Sequence, residues 1–152
     1  HSYTPQMVIN GRYEAVGSRD GDVRKAIRDA RDSDGPRLAV TVVPTGESGL
    51  QVSVSGGIAA ANGTAAGIWL VRYLREHTTA VTHGENKDKI LPGRNVVRDI
   101  RRIGDWRGSD VDIDIEGARP DKAHGCAILV QSDRLGPILG AAYCSLGKPA
   151  NS

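Results

Sequence analysis

Cys126 and Cys144 carry the most reactive side chains in this 152-residue sequence. Disulfide exchange runs through a thiolate and a mixed disulfide, and redox proteins often pair two thiols as Cys-x-x-Cys. No such spacing occurs here. The two cysteines are compatible with a structural disulfide or with two small buried hydrophobes. Residues 126–131 and 138–143 read as strands on either side of a turn at 133–137. If that hairpin turns about Leu135, Cys126 and Cys144 stand directly opposite on one face, within bridging reach. Both readings stay open on the sequence. His124, two residues before Cys126, could share its strand face, but neither cysteine has a neighbour that marks it as catalytic, and a nucleophilic His–Cys pair is the lesser expectation.

The second polar concentration lies between His77 and Arg98. Glu85, Asn86, Asn95 and Arg98 there could form a ligand site, with the planar Arg98 fork gripping a carboxylate or phosphate. The plainer expectation is structural: Gly84 makes a turn, Asn86 and Asn95 satisfy loop backbone, and Glu85 pairs with an arginine. His77, His83 and Glu85 have a poor spacing for a metal. Asp110, Asp112 and Asp114 alternate along one strand face, which suits calcium less well than a solvated, aggregation-resistant edge. No metal and no cofactor is expected, and no nucleophile elbow, phosphate loop or dinucleotide fingerprint occurs.

The elements that must position these residues begin with a hairpin. Thr4-Pro5 leads into the apolar Met7–Ile9, Asn10-Gly11 reads as a two-residue turn, and residues 12–16 return. Ser18 is the expected N-cap of a helix whose apolar face is Val23, Ala26, Ile27 and Ala30. Asp34-Gly35-Pro36 ends it. Beyond Pro36 the period becomes two: Leu38, Val40 and Val42, then Leu50, Val52 and Val54, then Trp69, Val71 and Tyr73. Residues 56–67 form a small-residue loop. Further strands are expected at 78–82, 96–103, 111–115, 126–131 and 138–143, so seven or eight short strands suggest an antiparallel sandwich.

Composition narrows the class. With no Phe, the core must be aliphatic around Trp69 and Trp106. A net charge of +2 does not argue for a nucleic-acid partner. No apolar run approaches the ~20 residues of a membrane span.

Three stretches together resemble a family of secreted bacterial thioredoxin-like proteins of unknown function, domain of unknown function 1223. They are residues 3–11 with Val16-Gly17-Ser18, residues 68–71 with Gly84-Glu85-Asn86 and residues 95–98, and residues 125–131 with residues 136–142. The resemblance implies an α+β fold: the C-terminal half of a thioredoxin-like domain (residues 1–35, hairpin plus helix), an antiparallel β-sandwich (36–145) and a flexible tail (146–152). It implies that this chain is the portion without the Cys-x-x-Cys segment, and that Thr4 and Pro5 form a cis-proline loop docking substrate.

On that resemblance the parent is a thiol–disulfide oxidoreductase of the periplasm or exterior, while these residues alone are not an enzyme. The implied partners are the absent thioredoxin half or a second copy, and a protein or peptide substrate. The alternative is a non-catalytic cell-envelope module that binds a partner through the loops around residues 84–94.

Overall fold

The computed structural model describes residues 5–32, 37–56, 65–133 and 136–144. Among them run nine strands and one helix: β1 (Gln6–Ile9), β2 (Tyr13–Val16), α1 (Asp20–Asp32), β3 (Ala39–Thr45), β4 (Gly49–Ser55), β5 (Ala66–Ala80), β6 (Ile90–Trp106), β7 (Val111–Ile115), β8 (His124–Ser132) and β9 (Ile138–Tyr143). All strand pairings are antiparallel, in sheets ordered β1-β2, β3-β4-β7 and β6-β5-β8-β9.

The two larger sheets face each other across one core. Alternate residues of each strand point inward, so Leu50, Val52 and Val54 of β4 meet Ile68 and Leu70 of β5 and Ile128 and Val130 of β8. Trp106, at the end of β6, is fully buried among them. At one rim β3 closes on β9, where the Leu38 N–H donates to the Leu139 carbonyl at 2.8 Å. Gly140 permits this approach, because a Cβ there would stand 2.6 Å from the Leu38 carbonyl oxygen.

Cys126 and Cys144 are bridged, with Cα atoms 5.2 Å apart. The β8–β9 register sets them opposite one another, and the Cys144 N–H donates to the Cys126 carbonyl at 2.9 Å. The two-free-thiol alternative is therefore set aside. The bridge closes a span of 18 residues, which loop-closure entropy values at about 3 kcal/mol.

At the N-terminal end, Ile9 pairs with Tyr13, so the hairpin loop has three residues, Asn10-Gly11-Arg12, rather than two. Asn10 (φ 52°) and Gly11 (φ 67°) both take the left-handed conformation that these residue types tolerate. The loop rests on the β8–β9 connection, with the Ile138 N–H donating to the Asn10 carbonyl at 3.0 Å. Helix α1 starts one residue later than expected. The Arg19 carbonyl, not Ser18, accepts the first helical bonds, from Asp22 and Val23. Its Ala26 is buried, while Ile27 keeps 38% of its surface exposed. The i, i+4 pairs Asp20–Arg24 (2.7 Å) and Lys25–Asp29 (2.6 Å) lie on its wet side.

The expected α+β class, with the opening as half of a thioredoxin-like fold, does not hold. The molecule is mostly β, with several antiparallel sheets and one 13-residue helix. Residues 6–16 form a two-stranded sheet of their own, applied to the rim of the sandwich. A strand–turn–strand–helix pattern is local and arises wherever apolar alternation meets turn residues. Membership of a larger sheet is a long-range property that such a pattern does not carry. The Thr4–Pro5 peptide, residues 57–64 of the loop expected at 56–67 and the tail expected at 146–152 lie outside the described residues, while Ala66 and Gly67 open β5.

Candidate functional site

The expected short strands at 68–73 and 78–82 are one 15-residue strand, β5, and the strand at 96–103 belongs to the 17-residue β6. Strand β8 accompanies β5 only from Ala66 to Leu74. Past Leu74, β5 and β6 continue as a two-stranded ribbon from Glu76↔Arg94 to Ala80↔Ile90. Two extra residues on β6, Arg98 and Ile103, break the register as bulges, which add twist and let so long an edge strand follow the sheet.

A cleft of about 530 Å³ opens where the sheet narrows, lined by Arg75, Glu76, Arg94, Asn95, Lys122 and Ala123. Each wall has a local cause. The Arg75 N–H donates to the Ala123 carbonyl at 3.0 Å, the last tie between β5 and the segment leading into β8. That segment is a turn held by Asp121, whose Oδ1 accepts the N–H groups of Ala123 (2.7 Å) and His124 (2.6 Å). The His124 ring lies against the same carboxylate, with Nδ1 2.9 Å from Oδ2. The backbone bond from His124 and then its ring hold the Asp121 carboxyl below its usual range. The turn sets Lys122 on the cleft wall. Opposite, Asn95 adopts φ 52°, and the ladder steps from Leu74↔Val96 to Glu76↔Arg94 with no Arg75↔Asn95 pair.

The electrostatics are lopsided. Of the four ionisable lining residues three are cations, and the single carboxylate, Glu76, is engaged by Arg94 at 3.1 Å. The Arg75 Nε is shut off from solvent and has no hydrogen-bond partner. Among the described residues neither the Arg75 guanidinium nor the Lys122 ammonium has an ion-pair partner. Arg102, further along β6, is the contrast. It lies over the Trp69 ring at 5.5 Å and bonds Asp105 at 2.7 Å and Asp133 at 3.4 Å. Its bond to Asp105 raises its pKa and lowers that of Asp105. Arg102 is thus fully matched within the fold, and Arg75 is not.

The sequence-expected cluster disperses. Asn95 lines the cleft. Arg98 instead meets His77, with Nη2 3.3 Å from Nε2. Glu85 and Asn86 sit at the ribbon tip, and Asn86 Oδ1 accepts the Lys89 ammonium at 3.1 Å. Five residues of strand separate Asn95 from Ile90, roughly 17 Å. His83 Nδ1 lies 2.9 Å from the Thr82 hydroxyl, away from His77. Among the described residues no group of three His, Cys, Asp or Glu side chains is placed to hold a metal. Asp112 and Asp114 are exposed on β7, opposite Ser53 and Gln51. Pro5 caps the hairpin base, its carbonyl accepting the Gly17 N–H at 2.7 Å. Arg75 and Lys122 were missed. Their signal was faint: an arginine following the apolar alternation Val71–Tyr73, and a lysine inside an Asp-x-x-His turn.

These features define an antiparallel β-sandwich with a hairpin–helix appendage, a single disulfide and a polar cleft at the root of a projecting ribbon. Residues 1–131 match the family described as protein of unknown function (DUF1223), and the chain belongs to that family. The fold is similar to the X-ray crystal structure of protein AGR_C_4864 from Agrobacterium tumefaciens, with a TM-score of 0.72 at 20% identity. That likeness covers 100% of this chain and 66% of the Agrobacterium chain. No curated protein matches the chain.

Proposed function

We propose that these residues form a non-catalytic binding module of the cell envelope, and that the β5–β6 ribbon with the cleft at its root is the recognising face. The observation that carries the reading is the ribbon itself. It extends beyond β8, and Ile90 and Leu91 keep 71% and 41% of their surface exposed near Arg94. Apolar anchors rimmed by charge are the usual make-up of a contact surface. In this reading the sandwich, residues 36–145, is the recognition unit, and the hairpin and helix form a lesser unit against its rim.

One further observation favours an extracytoplasmic setting. The Cys126–Cys144 bridge is of the kind that persists in oxidising compartments. No helix among the described residues is long and apolar enough to cross a membrane. Thiol exchange is not assigned to this polypeptide, because its two cysteines are spent in one buried bridge between neighbouring strands. An insulin-reduction assay with these residues should give no turnover.

The test compares the intact chain with the Ile90→Ser/Leu91→Ser variant, each immobilised and exposed to envelope extract. Both side chains are exposed, so thermal stability should hold within about 0.5 kcal/mol. The expected outcome is retention of a defined set of proteins by the parent and its loss in the variant. Equal retention by both would remove the ribbon from the recognising surface.

A further inference from the structure

We infer that the cleft between Arg75, Arg94 and Lys122 binds an oxyanion, a carboxylate or phosphate group, as the anchoring element of the ligand. The inference deepens the binding role proposed for this face and rests on it for its biological setting. Its chemistry stands on the cleft alone.

Three observations carry it. First, the charge count of the cleft is unbalanced: three of its four ionisable lining residues are cations, and the one lining carboxylate is already engaged by Arg94. Asp121, next to Lys122 in the chain, is not a lining residue; its oxygens accept the Ala123 and His124 N–H groups and face the His124 ring. Second, the Arg75 guanidinium has no ion-pair partner among the described residues, and with Nε shut off from solvent its outer N–H groups are the ones left to meet a ligand. A guanidinium presents its donors as a planar fork, and two parallel N–H groups suit the two oxygens of a carboxylate or phosphate. Third, local backbone devices bring Arg75 and Lys122 to the cleft. The left-handed Asn95 interrupts the ladder opposite Arg75, and the Asp121 turn places Lys122. Arg102 of the same sheet, outside the cleft, is by contrast met by Asp105 and Asp133.

Arg75 supplies the directional contact. Lys122 supplies a point charge, and Arg94 adds the donors not turned to Glu76. The cleft is open, so a small free anion binds weakly, with a dissociation constant on the order of millimolar. A ligand that also contacts the ribbon gains affinity through linkage of the two sites.

The experiment is an amide-resolved NMR titration of the chain at constant ionic strength, with chloride replaced stepwise by inorganic phosphate and, separately, by succinate. Saturable shifts centred on Arg75, Asn95, Lys122 and Ala123 are expected. Saturation by phosphate alone assigns a phosphate group, and by succinate alone a carboxylate. Arg75→Gln/Lys122→Gln should weaken binding by about tenfold or more. Arg98→Gln, outside the cleft, should leave it unchanged. If the double variant does not fold, Lys122→Gln alone, an exposed change, must still weaken binding measurably. The inference is overturned if neither anion gives saturable shifts, or if the variants bind as tightly as the parent. Ile90→Ser/Leu91→Ser should retain the anion site, so loss of the ribbon surface and loss of the cleft are read separately.

Discussion

Gly125 lies beneath the ring of Tyr73, and a Cβ there would collide with the ring carbons and the hydroxyl. Both residues are buried, and they face each other across the β5–β8 ladder. Gly125→Ala should therefore displace the ring and lower stability by about 1–3 kcal/mol, the range for overpacking a tight site. Urea unfolding would measure it, and a midpoint unchanged from the parent would show that the ring moves freely. Asp121 gives a second prediction at this scale. Its folded-state carboxyl is held below the ordinary value of 3.8, first by the His124 N–H and then by the His124 ring. A lowered carboxyl pKa favours the fold above the unfolded-state value, and that favour is lost as pH falls through the folded-state value. The turn carrying Lys122 should thus loosen only in acid, below about pH 4. The Ala123 and His124 amide resonances should report it. In Asp121→Asn this acid transition should vanish.

Among the elements, β8 and β9 depend most on a covalent tie. Strand β9 holds six residues at the edge of its sheet and meets β3 across a rim with room for glycine but not for a Cβ. The Cys126–Cys144 bridge fixes its far end. Cys126→Ala/Cys144→Ala should lower stability by about 3 kcal/mol, the loop-closure value for its length. The fold should be kept, because the cysteines are two members of a core that also holds Leu50, Val52, Ile68, Leu70, Trp106, Ile128 and Val130. Calorimetry and far-ultraviolet circular dichroism would check both halves of the statement. Unfolding of the variant at room temperature would mean that the core contributes less than its burial implies.

For the molecule as a whole, stability should be distributed unevenly. Among the described residues the sandwich owns the fully buried side chains, whereas the ribbon has two strands and no facing sheet, and α1 keeps Ile27 partly in water. Amide exchange should therefore be slowest in β4, the first half of β5 and β8, and much faster in α1 and at residues 76–80 and 90–94. Exchange in α1 as slow as in β4 would show that the appendage and the sandwich open as one unit.

The alternation of Leu50, Val52 and Val54, or of Val111, Ile113 and Ile115, determined strands by itself, because a period of two leaves one face to bury. The helix followed from the 3.6 period just as directly. Even the opposition of Cys126 and Cys144 was legible, since a hairpin's register is arithmetic once its turn is placed. What only the tertiary structure decided was which strands share a sheet and where a sheet stops. The hairpin at residues 6–16 stands as its own small sheet because its local pattern names no distant partner. Arg75, Arg94 and Lys122 come together because β8 leaves β5 at Leu74 while β6 continues. That departure joins residues nearly fifty positions apart, and no spacing along the chain encodes it, since long-range pairing is fixed by the packing of the finished core.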